Sequence, residues 1–171
     1  MSKLLVGGVV CAFLGLVLYI VGMATPVWMS VEYLGFGSYS GLWQTCQTQP
    51  SVTVCSGYVG ISQLPAAFNA ARAFAVIGLV LHICGLVLTA VNKNSDKKTG
   101  GELIIAAGIS GALAGAIFAG YAKSYGLAPF GYSFYLMWVQ ALFNIAGGSV
   151  IVNAVKSASE AQVDAQVDAE G

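Results

Sequence analysis

The stretch from residue 28 to 55 reads WMSVEYLGFGSYSGLWQTCQTQPSVTVC, and its costly residues are Trp28, the tripeptide Gly41-Leu42-Trp43, Cys46 and Cys55. Val27 to Tyr33 and Val52-Thr53-Val54 are rich in β formers. Gly35, Gly37, Gly41, Pro50 and Gly57 punctuate them as turns. The pattern predicts a small antiparallel sheet. Cys46 and Cys55 lie nine residues apart, and on an oxidising side of a membrane a disulfide is their natural state. Closing a ring of about ten residues contributes roughly 2.5–3 kcal/mol in the chain-entropy model. A metal site would need two further ligands, and this stretch holds no histidine and no third cysteine. Trp28 and Trp43 read as anchors at the lipid headgroup level, where Trp concentrates.

Outside this stretch the chain is apolar. Of 171 residues, 57% are hydrophobic and 8% charged, against about a quarter charged in a soluble domain. Seven basic and seven acidic side chains balance, and no basic patch argues for nucleic acid. One histidine and scattered acids provide no nucleophile–base or metal constellation, so no enzyme, cofactor or metal is expected.

Leu4–Met23, Phe74–Val91, Leu103–Ala122 and Ser133–Val155 carry no charge. Each is long enough, at about 1.5 Å per residue, to cross a hydrocarbon core of about 30 Å. Backbone groups inside lipid must be satisfied within the segment, so the prediction is four transmembrane helices at about 4–23, 65–91, 102–123 and 133–155. Pro65 suits the first turn of the second helix, and Thr99 with Glu102 fits a capping box for the third. The first span is too long for a signal-peptide core, and no good small-x-small site follows it. Lys3, Lys93, Lys97, Lys98 and Lys156 fall on one side, Arg72 and Lys123 on the other. That bias predicts both termini in the cytosol, with extracellular loops at about 24–64 and 124–132. Residues 1–156 form the membrane domain, and the acidic tail 157–171 is expected to be solvated and disordered.

Small residues mark helix contacts. Gly8, Gly15 and Gly22 recur every seven residues, and Ala107, Gly111, Gly115 and Ala119 every four. Such lines let backbones approach where lipid offers no hydrophobic drive. Gln140, Asn144 and Gly148 form a polar stripe whose expected role is interhelical bonding, since no intramembrane acid or base would line a conduction path. His82 reads as a neutral imidazole bonded to a neighbouring helix. Cys11 and Cys84 read as small apolar residues within helices.

Trp28, Gly41-Leu42-Trp43, Cys46 and Cys55 resemble the W-GLW-C-C signature of the claudin superfamily, which also holds peripheral myelin and epithelial membrane proteins. Leu64 to Ala73, including Arg72, is similar to the claudin stretch entering the second helix. Phe130-Gly131 with Tyr135 and Trp138 resembles the second loop and the entry to the fourth helix. The resemblance implies a left-handed four-helix bundle topped by a sheet, at the plasma membrane of cell–cell junctions. Members associate with themselves or other claudins in cis and in trans, and seal or perforate the paracellular space. Gly41, Leu42 and Trp43 would seat the sheet on the bundle.

Departures shape the expectation. Twelve residues separate Trp28 from Gly41, fewer than in typical vertebrate members, and the second loop is short. The tail ends Asp168-Ala169-Glu170-Gly171, without the apolar terminus of a PDZ-scaffold ligand. Between Cys46 and Cys55 no residue is charged. Gln49 falls where cation-permeable relatives often carry an acid, and Glu32 is the loop's single acid. With Glu32, Gln47 and Gln49 as candidate path residues, the expectation is a barrier or weakly selective protein. The alternatives are an auxiliary subunit of an ion channel or receptor, or a myelin/epithelial-type adhesion protein of the same superfamily.

Overall fold

In the computed structural model, which describes residues 3–33, 36–58, 64–91, 93–124, 126 and 129–170, the chain folds as four long helices with a four-stranded sheet at one end. The helices are α1 (Lys3–Ala24), α2 (Ala66–Ala90), α3 (Asn94–Ser124) and α4 (Tyr132–Glu170). All four are long and apolar enough to cross a membrane. α2 packs along α3, α3 along α4 and α4 along α1, and a slighter contact joins α1 to α2.

The side-chain distribution inverts that of a soluble helix. α1 buries Leu5, Gly8, Ala12, Gly15, Tyr19 and Gly22 and exposes Val6, Val10, Phe13, Val17 and Ile20. The branched aliphatics are lipid-facing, and the small residues let helices meet. All three glycines of the heptad line face α4: Gly8 meets Ile151, Gly15 meets Asn144, and Gly22 meets Leu136 and Met137. From α4, a Cβ on Gly147 would come 2.8 Å from the Ala12 nitrogen. On α3, Gly111 faces Gln140, and a Cβ on Gly115 would come 3.2 Å from Trp138 Nε1.

Two helices extend beyond their sequence-predicted limits. α3 begins at Asn94, so Thr99 is not an N-cap: its hydroxyl donates to the Ser95 carbonyl at 3.2 Å. Glu102 faces Lys98 at 3.9 Å instead of reaching back to a cap. The tail expected to be disordered continues α4 to Glu170. Residues 157–170 contain neither Gly nor Pro, and the membrane span supplies the costly nucleus from which helix propagates. Hydropathy marks where lipid ends, not where helix does.

The sheet is a meander: β1 (Met29–Tyr33), β2 (Phe36–Ser40), β3 (Gln44–Gln49) and β4 (Val52–Gly57), each antiparallel to the next. The predicted turn residue Gly35 lies outside the described residues. Pro50 and Ser51 connect β3 to β4, where Gln49 pairs with Val52. The second loop adds a short piece beside β1. Ser30 N–H donates to Pro129 at 3.2 Å, Gly131 N–H to Trp28 at 2.9 Å, and Met29 bridges Phe130. That contact leaves β4 as the outer edge, exposed along its whole length.

Candidate functional site: the sheet and its seat on the bundle

The seat is built on the end of α1. The last carbonyls of a helix have no partner within it. Thr25 Oγ1 donates to Val21 O at 2.7 Å, Trp28 Nε1 to Gly22 O at 2.8 Å, and Trp43 Nε1 to Met23 O at 3.0 Å. The two tryptophans of the signature therefore satisfy consecutive carbonyls, which fixes the sheet against the bundle. Thr25 also shares a 2.6 Å hydroxyl contact with Ser133 at the start of α4.

Trp28 does not face lipid as a belt residue would. It is fully buried, packed edge-on against Phe118 at 4.8 Å and Phe134 at 6.2 Å between centroids. Its indole nitrogen has a carbonyl partner inside, so burial leaves no polar group unpaired. Trp43 keeps a partly exposed position, 39% accessible. Gly41-Leu42-Trp43 forms the connection between β2 and β3, with Leu42 fully buried. A Cβ on Gly41 would lie 2.5 Å from Pro26 Cα and 3.0 Å from Thr25 O. Backbone meets backbone there, and only glycine fits.

Arg72 ties α2 to this turn. Its Nε–H donates to Leu42 O at 2.6 Å, and its guanidinium lies 4.8 Å from the Phe68 ring, 5.1 Å from Tyr58 and 5.3 Å from Trp43. Three aromatic faces around one cation are mutually reinforcing. Tyr58 donates to Gly41 O at 3.2 Å. Burial pushes the Tyr58 phenol above its ordinary value, against the opposing effects of the Ser40 hydroxyl and Arg72.

Cys46 and Cys55 stand directly opposite on β3 and β4 and form a disulfide. Strand register separates the candidate path residues. Gln47 shares a cross-strand row with Val31, Ser38 and Val54, and Gln49 pairs with Val52. Gln47 and Gln49, two apart on β3, lie on one face, and with Val31, Phe36 and Ser38 they line a groove of about 250 Å³. Glu32 is on the opposite face, the face of the disulfide, where the Tyr39 hydroxyl donates to its carboxylate. That bond pushes the Tyr39 phenol above its ordinary value.

Deeper in the bundle, His82, Asn144 and Gln140 form a buried chain. His82 Nε2 faces the Ala12 carbonyl at 3.1 Å, which can only accept, so Nε2 carries the proton. Asn144 Nδ2 donates to His82 Nδ1 at 3.2 Å and to Gln140 Oε1 at 2.7 Å. Gln140 Nε2 donates to Met137 O at 2.9 Å. Two of the three use a glycine on another helix as a notch: Asn144 rests on Gly15 and Gln140 on Gly111. The same holds for Tyr19, whose hydroxyl rests on Gly78 while donating to Ala75 O at 2.9 Å.

Residues 1–151 match the PMP-22/EMP/MP20/Claudin family. The chain is 27% identical to the human lens fiber membrane intrinsic protein over 155 residues, covering 83% of this chain and 86% of that protein. It is 24% identical to zebrafish (Danio rerio) claudin-7-A over 169 residues, with 82% and 80% covered. To bovine claudin-4 it is 30% identical over 120 residues, covering 63% of this chain and 57% of the relative.

Proposed function

Because the chain belongs to the PMP-22/EMP/MP20/Claudin family, we propose that it is a junction protein. In this reading it self-associates in cis and in trans at cell–cell contacts, with both termini cytosolic, and forms a paracellular barrier of weak charge selectivity. The observation that carries this reading is the sheet itself. It is rooted rigidly on α1 and α2, and its edge strand β4 presents backbone donors and acceptors with exposed Val52 and Val54. An exposed edge with no partner strand among the described residues is a template for strand addition by a second copy.

Weak selectivity follows from the charges. Glu32 is the only acid between residues 24 and 64; it is held by Tyr39 and faces away from Gln47 and Gln49. Neither face gathers the acidic ring that favours cations. Expression in cells lacking junction strands tests the proposal. Continuous strands at contacts, raised transepithelial resistance and dilution potentials near those of free diffusion are expected. Uniform surface staining with unchanged resistance refutes it.

A second reading, a membrane-organising or adhesion protein, is favoured by the close β1–β2 connection, in which Tyr33 already pairs with Phe36. That connection leaves little sheet beyond the bundle for contact with a facing cell. Cell aggregation without strand formation would support it over the first.

A further inference from the structure

Four residues of α2, Asn69, Arg72, Ala73 and Val76, line an outward-facing groove of about 330 Å³ together with Trp43. Their spacing of three, four and seven from Asn69 puts them on one helical stripe. The stripe changes character along its length. Asn69 and Arg72 lie at the sheet end, Ala73 and Val76 follow, and exposed Val80 continues it one turn deeper. A polar head over an apolar track has the amphiphilic order of a phospholipid.

The charge balance makes the same point. Arg72 has five N–H donors in a fixed fork, and among the described residues the Nε–H is committed to Leu42. The acids of the chain are Glu32, Asp96, Glu102, Glu160, Asp164, Asp168 and Glu170. Only Glu32 belongs to the sheet end, and Tyr39 holds it. Among the described residues no carboxylate compensates the guanidinium, while the aromatic rings around it stabilise a cation without neutralising it. Trp43, bonded to the last turn of α1, marks this depth as the membrane–water boundary. The abundant anions at that depth are lipid phosphates, which Arg binds through its fork.

We propose that this groove binds one phospholipid of the sheet-side leaflet, with its phosphate on Arg72 and one acyl chain along Ala73, Val76 and Val80. A bound lipid would then brace the joint between α2 and the Gly41-Leu42-Trp43 turn.

Native mass spectrometry of the full chain in detergent tests this with dioleoylphosphatidylglycerol, dioleoylphosphatidylcholine and dioleoylglycerol at equal concentration. Both phospholipids are expected to bind roughly tenfold more tightly than the glycerol lipid, the scale of one charge-assisted bond. Arg72→Gln should abolish that preference. Ala73→Phe, which fills the groove from an exposed position without touching the guanidinium, should weaken phospholipid binding by a similar factor. Ile109→Phe, on the lipid face of α3, should not. Equal binding of dioleoylglycerol overturns the proposal, as does undiminished phospholipid binding by folded Ala73→Phe. Displacement of the lipid by millimolar inorganic phosphate would assign the site to a free anion instead. An Arg72→Gln protein that keeps its lipid but loses self-association would assign the arginine to a protein partner.

Discussion

Substituting Gly15 by alanine asks whether the buried polar chain holds the bundle together. A Cβ at Gly15 would fall well inside contact distance of Asn144 Oδ1 and 3.0 Å from its Cγ. Asn144 would have to leave its place, and with it go the bonds to His82 at 3.2 Å and Gln140 at 2.7 Å. The bond to His82 crosses from α4 to α2, and interhelical bonds in membranes average about 0.6 kcal/mol. The bond to Gln140 lies within α4 and is worth about 0.2–0.5 kcal/mol, so their loss together costs about 1 kcal/mol. Overpacking in a close helix contact adds about 1–3 kcal/mol. The expected destabilisation is therefore roughly 2–4 kcal/mol, read as the shift in a sodium dodecyl sulfate titration of protein in mixed micelles followed by circular dichroism. Gly7→Ala, on the same helix with nothing within 4 Å of the new Cβ, should lie within about 0.5 kcal/mol of the parent. The double-mutant cycle isolates the cause. Once Asn144→Ala has removed the obstructing amide, adding Gly15→Ala should cost less than about 0.5 kcal/mol. If the two substitutions are additive, or if Gly15→Ala behaves like Gly7→Ala, the amide-in-notch account is wrong.

The seat and the sheet yield further expectations. Trp28→Phe leaves Gly22 O unpaired in a fully buried site and should cost about 1–3 kcal/mol. Trp43→Phe frees a carbonyl at a 39% exposed residue and should cost clearly less in the same denaturation assay. Gly41→Ala drives a methyl into the Pro26 backbone and should lower cell-surface abundance several-fold by biotinylation, an effect that about 1–2 kcal/mol suffices to produce. Cys46→Ser with Cys55→Ser removes the cross-strand staple and should cost about 2–3 kcal/mol, seen as a lower thermal midpoint of the sheet. Gln47→Glu with Gln49→Glu puts two acids on one face and should raise sodium-over-chloride selectivity in dilution potentials, whereas Glu32→Gln should change it little.

The four spans were legible because lipid imposes a length and a ban on charge that the sequence obeys openly. The helix ends were not. Asn94 to Thr99 and the tail beyond Lys156 are polar yet helical, and hydropathy is silent about helix that leaves the membrane. The cysteine pair and both outer strands could be read from local chemistry, because a disulfide and β-branched runs declare themselves within ten residues. Trp28 could not. Its residue type fits a headgroup belt, and its burial follows from a bond to Gly22 and from rings on α3 and α4 that are about 90 and 106 positions away. Register likewise decides that Glu32 and Gln47 occupy opposite faces, and an alternation rule needs the pairing before it can say so.

The glycines and polar residues become intelligible only as pairs. Read singly, Gly15, Gly78 and Gly111 are packing marks, and Tyr19, Gln140 and Asn144 are polar groups in an apolar setting. In the structure each glycine is the notch for one of these side chains on another helix. Three of the four helices donate a notch, and α1 and α4 supply the groups that fill them. An apolar contact can slide by a turn at little cost in lipid, because one branched aliphatic replaces another. A polar side chain in a glycine notch cannot, since any slip both buries it without its partner and closes the space it occupied. These pairs therefore fix the rotation and depth of each helix. The ends of α1 and α2 that Trp28, Trp43 and Arg72 join are held at one height by the same constraint, and the sheet inherits its orientation from them.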